Sequence, residues 1–267
     1  MMKTCLVTGA SGGIGQAIAE ALYKQGCRVL LQGRNVSKLS LLKQKLGERA
    51  DMLVGDINLQ SDRETILEKL RSYESIDLLV NAAGVSEFAA FESLQESRVA
   101  ELVTTNLLSP ILFIQAFVKM QSNSKSSQQI TIVNVGSAFG YIGYPGFSVY
   151  AASKFGLRGF TESLRREFSD SRFSFAYFAP RATQTEINSS QVNNLNKALG
   201  NAVDSPFFVA EQFIQFLKKH KGEATIGWPE KLFIRVNNLL PAVVDSAIKS
   251  KLPVIKQFMS AKPAHVK

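Results

Sequence analysis

The chain has 267 residues, 45% hydrophobic and 20% charged, a composition that suits a globular α/β protein with a sizeable core and excludes a disordered or disulfide-stapled one. Two cysteines cannot make a disulfide framework, and His220 and His265 have no Cys or second His at ligand spacing, so no metal site is expected. The net charge of +9 is unevenly placed: from Lys218 to Lys267 ten Lys or Arg face three acids, leaving +7 in that stretch, yet no helix-turn-helix, zinc-finger or aromatic RNA-reading motif accompanies it, and nucleic acid is not expected as a partner.

Apolar runs bounded by turn residues alternate with longer amphipathic segments. TCLVT (4–8), RVLLQG (28–33), DMLVG (51–55), IDLLV (76–80), ITIVNV (130–135) and FSFAYF (173–178) read as strands, and the stretches between them carry helical period. Near-continuous apolar strands separated by helices require a parallel sheet covered on both faces, so the expected fold is one α/β domain over 1–267 with a doubly wound sheet. Cys5, inside the first run, reads as a small buried hydrophobe. No run approaches the eighteen apolar residues of a membrane span, and MMKTCLVTGASGG lacks the features of a secretory signal, so a cytoplasmic location is expected.

After the first strand comes TGASGGIG (8–15), followed by an amphipathic run from Gln16 to Gln25. Glycines at 9, 13 and 15 permit a tight turn and leave N–H groups at a helix start to face a pyrophosphate; the plainer alternative is a turn that merely joins strand to helix. Further along stand NAAG at 81–84 after the fourth strand, Asn106 in the following helix, Ser137 after the fifth strand, and Tyr150-x-x-x-Lys154 thirteen residues later. Residues four apart share a helix face, so the Lys154 ammonium can lie near the Tyr150 phenol and stabilise its phenolate.

Taken together and in this order, from Thr4 to about Thr185, these elements resemble the short-chain dehydrogenase/reductases. The resemblance implies a Rossmann-type sheet, a nicotinamide dinucleotide cofactor and an assembly of two or four identical subunits. It makes Tyr150 the proton donor, Ser137 the hydroxyl that orients and polarises a carbonyl, Lys154 the group that tunes the tyrosine and holds a ribose, and Asn106 the anchor of a water in a proton relay, unless Asn106 only bridges backbone within a kinked helix. It also implies cofactor contacts from Gly9, Ser11, Gly13, Ile14 and Gly15, from Asp56 and Ile57 beside the adenine, and from Asn81, Ala82 and Gly84 at the adenosine ribose. At the nicotinamide end the same likeness implies Tyr150, Lys154, Pro180, Thr183 and Thr185. Asn81 and Gly84 could instead chiefly hold a strand-to-helix turn.

At the end of the second strand, Gln32-Gly33-Arg34-Asn35 offers no acid for the free ribose hydroxyls, while Arg34 can present a guanidinium to a 2′-phosphate. NADPH/NADP is therefore expected over NADH/NAD, with an exposed surface arginine as the alternative. Arg181 stands where the family commonly has glycine after the proline, which leaves open the path of the 181–205 segment, expected to be a substrate lid, and whether Arg181 meets an anionic group. Phe139, Tyr141, Tyr144 and Phe147 are expected either to edge the site or to pack beneath its loop.

Beyond the family core, residues 229–260 read as a helical extension. Leu232, Val236, Leu239, Val243, Ala247 and Leu252 recur at helical spacing, with interruptions near Pro241 and Pro253. They pack on the protein, on another subunit, or on an anionic membrane as a peripheral contact. The expected function is NADPH-dependent reduction of a small hydrophobic ketone or aldehyde, with 3-oxoacyl or other lipid-like ketones as the leading class. The alternatives are an NADP-dependent alcohol dehydrogenase working oxidatively and a non-catalytic dinucleotide sensor.

Overall fold

The computed structural model describes residues 2–123 and 127–260; His265, Lys262 and Lys267 lie outside them. The strands are β1 Thr4–Thr8, β2 Arg28–Gly33, β3 Ala50–Val54, β4 Leu78–Asn81, β5 Ile130–Val135, β6 Phe173–Ala179 and β7 Glu223–Thr225, in one sheet of order β3-β2-β1-β4-β5-β6-β7. Every neighbouring pair is parallel. Six strands match the apolar runs; the short edge strand β7 was not expected.

The helices are α1 Gly13–Lys24, α2 Val36–Leu46, α3 Gln60–Leu70, α4 Glu96–Val103, α5 Ser109–Ser122, α6 Ser148–Glu167, α7 Ser190–Ala198, α8 Pro206–Lys218, α9 Trp228–Leu239 and α10 Pro241–Ser260. Side chains alternate across a strand, so β1 sends Cys5 and Val7 to one face and Leu6 to the other. Cys5 and Val7 pack with Ile18 and Leu22 of α1, Leu39 of α2 and Val209 and Phe213 of α8. Leu6 packs with Ile66 and Leu70 of α3 and Phe113, Ile114 and Phe117 of α5. Each fully buried Leu, Ile or Phe contributes roughly 1.5–3 kcal/mol, enough to fix which face each helix covers. The sheet is thus the doubly wound one expected.

Helix α4, a π-helical turn at Thr104–Leu108 and α5 run on as one helical stretch, Glu96–Ser122. Contrary to the sequence reading, this stretch is long and apolar enough to cross a membrane by length and composition. It is folded instead onto the sheet, and its buried Asn106 and Ser109 are hydrogen-bonded inside the protein. Helix α10 also departs from expectation, because Pro253 lies inside it without ending it. Pro253 is exposed, so the carbonyl that its missing N–H would have met faces water.

Candidate active site

The order of the sheet reverses between β1 and β4, which opens a crevice at the carboxyl ends of these strands. Its floor is the glycine turn. Gly9 has φ +66°, and a Cβ there would come within 2.6 Å of the Ala83 backbone; a Cβ on Gly15 would collide with the Gly9 carbonyl. Only glycine lets these backbones approach so closely. Helix α1 begins at this turn on Gly12 with no side chain capping it, so its first N–H groups remain open to an anion.

A cavity of about 490 Å³ follows this turn and is lined by Gly9, Ser11, Gly13, Ile14, Gly15, Arg34, Asp56, Ile57, Ala82, Gly84 and Thr185, among others. Most of the residues expected to hold the dinucleotide are therefore brought together. At its adenosine end the Arg34 guanidinium lies 3.3 Å from Asp56 Oδ2, so two residues expected to serve different parts of the cofactor are paired with each other. Lys38, which the sequence reading missed, lines the same end and pairs with Glu186 at 2.5 Å.

Asn81 is a correction. Its side chain is buried away from the crevice and donates to Asn134 Oδ1 at 2.9 Å, while Asn134 donates to Thr161 Oγ1 at 2.8 Å. This chain ties β4 to β5 and α6, because buried amides must find partners. Pro180 and Thr183 line a second cavity, together with Tyr150 and Thr185 of the group expected at the nicotinamide end, and the Thr183 hydroxyl donates to the Arg181 carbonyl at 2.9 Å.

The second cavity, about 330 Å³, meets the first at Ile14, Ser86, Thr185 and Ile187. Ser137 and Tyr150 stand on its wall with Phe139, Tyr144 and Phe147. The rings form a connected set: Phe139 stacks on Tyr144 at 5.1 Å and meets Tyr150 edge-on at 6.4 Å. Tyr141 departs from the expected group. It turns the other way, against Tyr177 and the Arg158 guanidinium, and burial beside Glu223 pushes its phenol up to about 12.

Ser137 Oγ accepts from Phe139 N at 3.1 Å, which leaves its own hydrogen free to donate. Lys154 is 5% exposed beneath the crevice, its Nζ donating to the Val135 carbonyl at 3.2 Å and lying 5.8 Å from the Tyr150 ring centroid. Burial draws the ammonium down to about 8. Burial raises the Tyr150 phenol, with the Ser137 hydrogen bond pulling the other way. In the cofactor-free protein removal from water is thus the larger effect on the phenol, and the Lys154 Nζ is turned toward the Val135 carbonyl.

Asn106 is fully buried in the π-helical turn. Its amide accepts from Val85 N at 2.8 Å and donates to Val85 O at 2.9 Å and to Ser153 Oγ at 3.2 Å. These bonds reach outside its own helix, to backbone in the loop after β4 and a side chain of α6, and fix the one against the other. The sequence reading missed Tyr177. Its hydroxyl donates to the Lys154 carbonyl at 3.2 Å and accepts from Ser137 N at 3.3 Å, and a Cβ on Gly136 or Gly140 would strike its ring. In FSFAYF it reads as one more apolar strand residue; the signal available was a phenol, which needs a hydrogen-bond partner, in a strand read as buried.

Arg181 also resolves. Its guanidinium grips Asp204 through two hydrogen bonds, at 2.9 and 2.8 Å, and reaches Glu230 at 3.2 Å, so it is not free to meet an anionic substrate. Its backbone needs no positive φ; His220 is the one non-glycine in that region among the described residues.

A nicotinamide dinucleotide fits this arrangement. The glycine turn leaves room for a pyrophosphate, the N-terminus of α1 faces it, and Thr185 Oγ1, buried where the two cavities meet, has no hydrogen-bond partner among the described residues. Fold and crevice define a dinucleotide-dependent oxidoreductase. Residues 3–196 match the short chain dehydrogenase family, and the chain belongs to it. It is 32% identical to the 3-oxoacyl-(acyl-carrier-protein) reductase FabG of Escherichia coli (strain K12) over 186 residues, 69% of this chain and 75% of that protein. It is 30% identical to Nodulation protein G of Rhizobium sp. (strain N33) over 202 residues, 75% of this chain and 80% of the other. In fold it is similar to a short chain dehydrogenase/reductase from Burkholderia phymatum in complex with NAD, with a TM-score of 0.80 at 17% identity over 91% of this chain and 95% of that one.

Two outcomes are expected from these contacts. Tyr177→Phe should cost about 1–3 kcal/mol of stability, as for two lost hydrogen bonds, and should lower kcat about ten- to a hundredfold with little change in KM, because it loosens Ser137 against Lys154; steady-state kinetics beside a denaturant titration separate the two effects. Because the folded pKa of Lys154 lies below its ordinary 10.5, its ammonium costs stability at every pH below about 8, and the cost fades as pH rises from about 8 to 10.5. Lys154→Met should therefore stabilise the cofactor-free protein at neutral pH by about 1–3 kcal/mol, with the gap closing as pH approaches 10.5. A gap that stays constant with pH would point to packing rather than charge.

Proposed function

We propose that the protein reduces a hydrophobic ketone or aldehyde to an alcohol with NADPH, and that a 3-oxoacyl thioester or another lipid-like ketone is its substrate class. One observation carries the reading: two hydroxyls, Ser137 and Tyr150, share the wall of a cavity with the rings of Phe139, Tyr144 and Phe147, and this cavity meets the glycine-turn crevice at the unpartnered Thr185 hydroxyl. The name of the Escherichia coli relative supports the substrate class.

When bound, the dinucleotide supplies the hydride. Tyr150 gives its proton to the substrate oxygen, and burial keeps the phenol protonated through neutral pH, the form a reductase needs. Ser137, whose oxygen is already held by Phe139 N, donates its hydrogen to the same oxygen as negative charge develops there. Lys154 holds a ribose from below and, with Tyr150 on the preceding turn of α6, keeps a positive charge near the site of proton transfer. Asn106 fixes Val85 and Ser153 around that lysine. The rings of Phe139, Tyr144 and Phe147 exclude water and favour an apolar chain. Of the charged groups on this cavity, Arg181 and Glu230 are paired with each other, and Lys251 at the rim has no carboxylate partner among the described residues, which suits a substrate with an anionic end.

The NADPH preference is supported by Arg34 and Lys38 at the adenosine end and by the lack of an acid at the close of β2, where the Gln32 amide instead donates to the Gly55 carbonyl. Releasing the exposed Arg34–Asp56 pair to a phosphate costs no more than about 1 kcal/mol. A homodimer or homotetramer is part of the proposal, supported by exposed Val103, Leu108 and Phe155 on the helical stretch before β5 and on α6.

Tyr150→Phe should abolish turnover on every carbonyl substrate while nicotinamide fluorescence still reports cofactor binding; a protein that never turned over any ketone in a graded chain-length panel would refute the enzymatic reading. Arg34→Ala should weaken NADPH binding by about 1.5–3 kcal/mol and leave NADH binding nearly unchanged, as read by fluorescence titration with each nucleotide. Equal losses for both would remove the NADPH preference.

A further inference from the structure

The C-terminal helices carry two apolar faces, and the fold uses one. Helices α9 and α10 settle on the body through Ile234, Val244 and Ile255, all buried. The stripe expected from sequence was a different one, and much of it faces out. Trp228, Leu232 and Leu239 fall within about 40° of one another around α9 and are 69%, 50% and 80% exposed. Leu240 and Val243 carry the strip across the turn into α10. A surface helix ordinarily turns its polar side outward, and a continuous exposed apolar strip marks a contact surface.

The strip is bordered by positive charge. Lys231 and Arg235 on α9 and Lys249, Lys251 and Lys256 on α10 are exposed, and none has a carboxylate partner among the described residues. The acids on these helices are Glu230, tied to Arg181, and Asp245. A second copy of the chain docked here by two-fold symmetry would set cations against cations with almost no acid to meet them. An anionic lipid surface meets both halves of the pattern, since tryptophan and leucine enter the headgroup boundary while Lys and Arg meet phosphates.

We propose that the outward face of α9 and the start of α10 dock the protein on an anionic bilayer. The same two helices wall the substrate cavity: Phe233 from α9 and Ala247, Ile248 and Lys251 from α10 line it. A long-chain ketone leaving the bilayer then passes between docked helices to reach Ser137 and Tyr150. That last step rests on the lipid-like substrate proposed above; the docking itself does not.

Trp228 is the sole tryptophan, so its emission reads the docking directly. The full chain is mixed with vesicles of phosphatidylcholine alone or containing phosphatidylglycerol. A blue shift and cosedimentation are expected with the anionic vesicles only, weakened about tenfold or more by high salt. Both should disappear in a Leu232→Asp, Leu239→Asp double variant that still turns over a short soluble ketone. Absence of the shift with anionic vesicles at low salt overturns the proposal. So does a Trp228 shift that grows with protein concentration without lipid and is lost in the same variant, which would give the strip to a second copy. Docking without turnover of any long-chain ketone would refute the lipid-like substrate and leave the docking standing.

Discussion

The geometry of the site depends on one buried hydroxyl. Tyr177, 1% exposed on β6, joins the second residue after β5 to the second turn of α6 by accepting from Ser137 N and donating to the Lys154 carbonyl. The bridge adds to the bond from Lys154 Nζ to the Val135 carbonyl, so the segment after β5 and the Tyr150–Lys154 pair are held together at more than one point. Gly136 and Gly140 are the condition for it, because a methyl at either position would occupy the space of the ring. One layer below, the Asn81–Asn134–Thr161 chain ties the same elements through the sheet. Buried polar networks of this kind set position, since every partner that slips leaves an unsatisfied group.

The price of the arrangement is Lys154. An ammonium with 5% exposure and one carbonyl acceptor at 3.2 Å is poorly compensated, and its lowered pKa expresses that strain on the cofactor-free protein. The raised Tyr150 phenol has the same origin. Both groups are kept out of water in advance of any ligand, so a ribose hydroxyl reaching Lys154 replaces a missing partner rather than displacing solvent. Thr185 Oγ1, buried and unpartnered where the two cavities join, is a third group in that condition. Poorly compensated polar groups beside a mainly aromatic and aliphatic cavity are what a site that recognises a polar ligand requires.

How much of this could be read from sequence follows from the range of each interaction. Strands β1 to β6 and the glycine turn were legible because apolar runs and local spacing determine them. Strand β7 was not, since Glu223-Ala224-Thr225 is three residues long and half exposed at the sheet edge. The crevice residues from Gly9 to Gly84 came together largely as expected. Asn81 did not, because its partner Asn134 lies 53 positions away and nothing local announces it. Tyr177 was hidden for the same reason: its roles are defined by Ser137 and Lys154, 40 and 23 positions distant. In the C-terminal helices the helical period was visible, but with apolar residues around most of the circumference the period could not say which side the body would cover.

Arg181 shows how those helices belong to the site. A glycine here would have offered backbone freedom; the arginine instead gives a forked contact with Asp204 at the end of the lid segment and a third hydrogen bond to Glu230 in the first turn of α9. With the guanidinium and Asp204 both largely buried, the pair specifies position more than it adds stability. Gly227, at φ +93°, lets the chain turn so closely that a Cβ would strike the Glu230 carboxylate and come 2.9 Å from Arg181 Cδ. The end of β6, the 181–205 segment and the entry to α9 are thereby held at one point, on the rim of the cavity that carries Ser137 and Tyr150. Because Phe233 of α9 lines that cavity, the cluster also fixes one of its walls, and charged partners this far buried do not separate without leaving one of them unpaired.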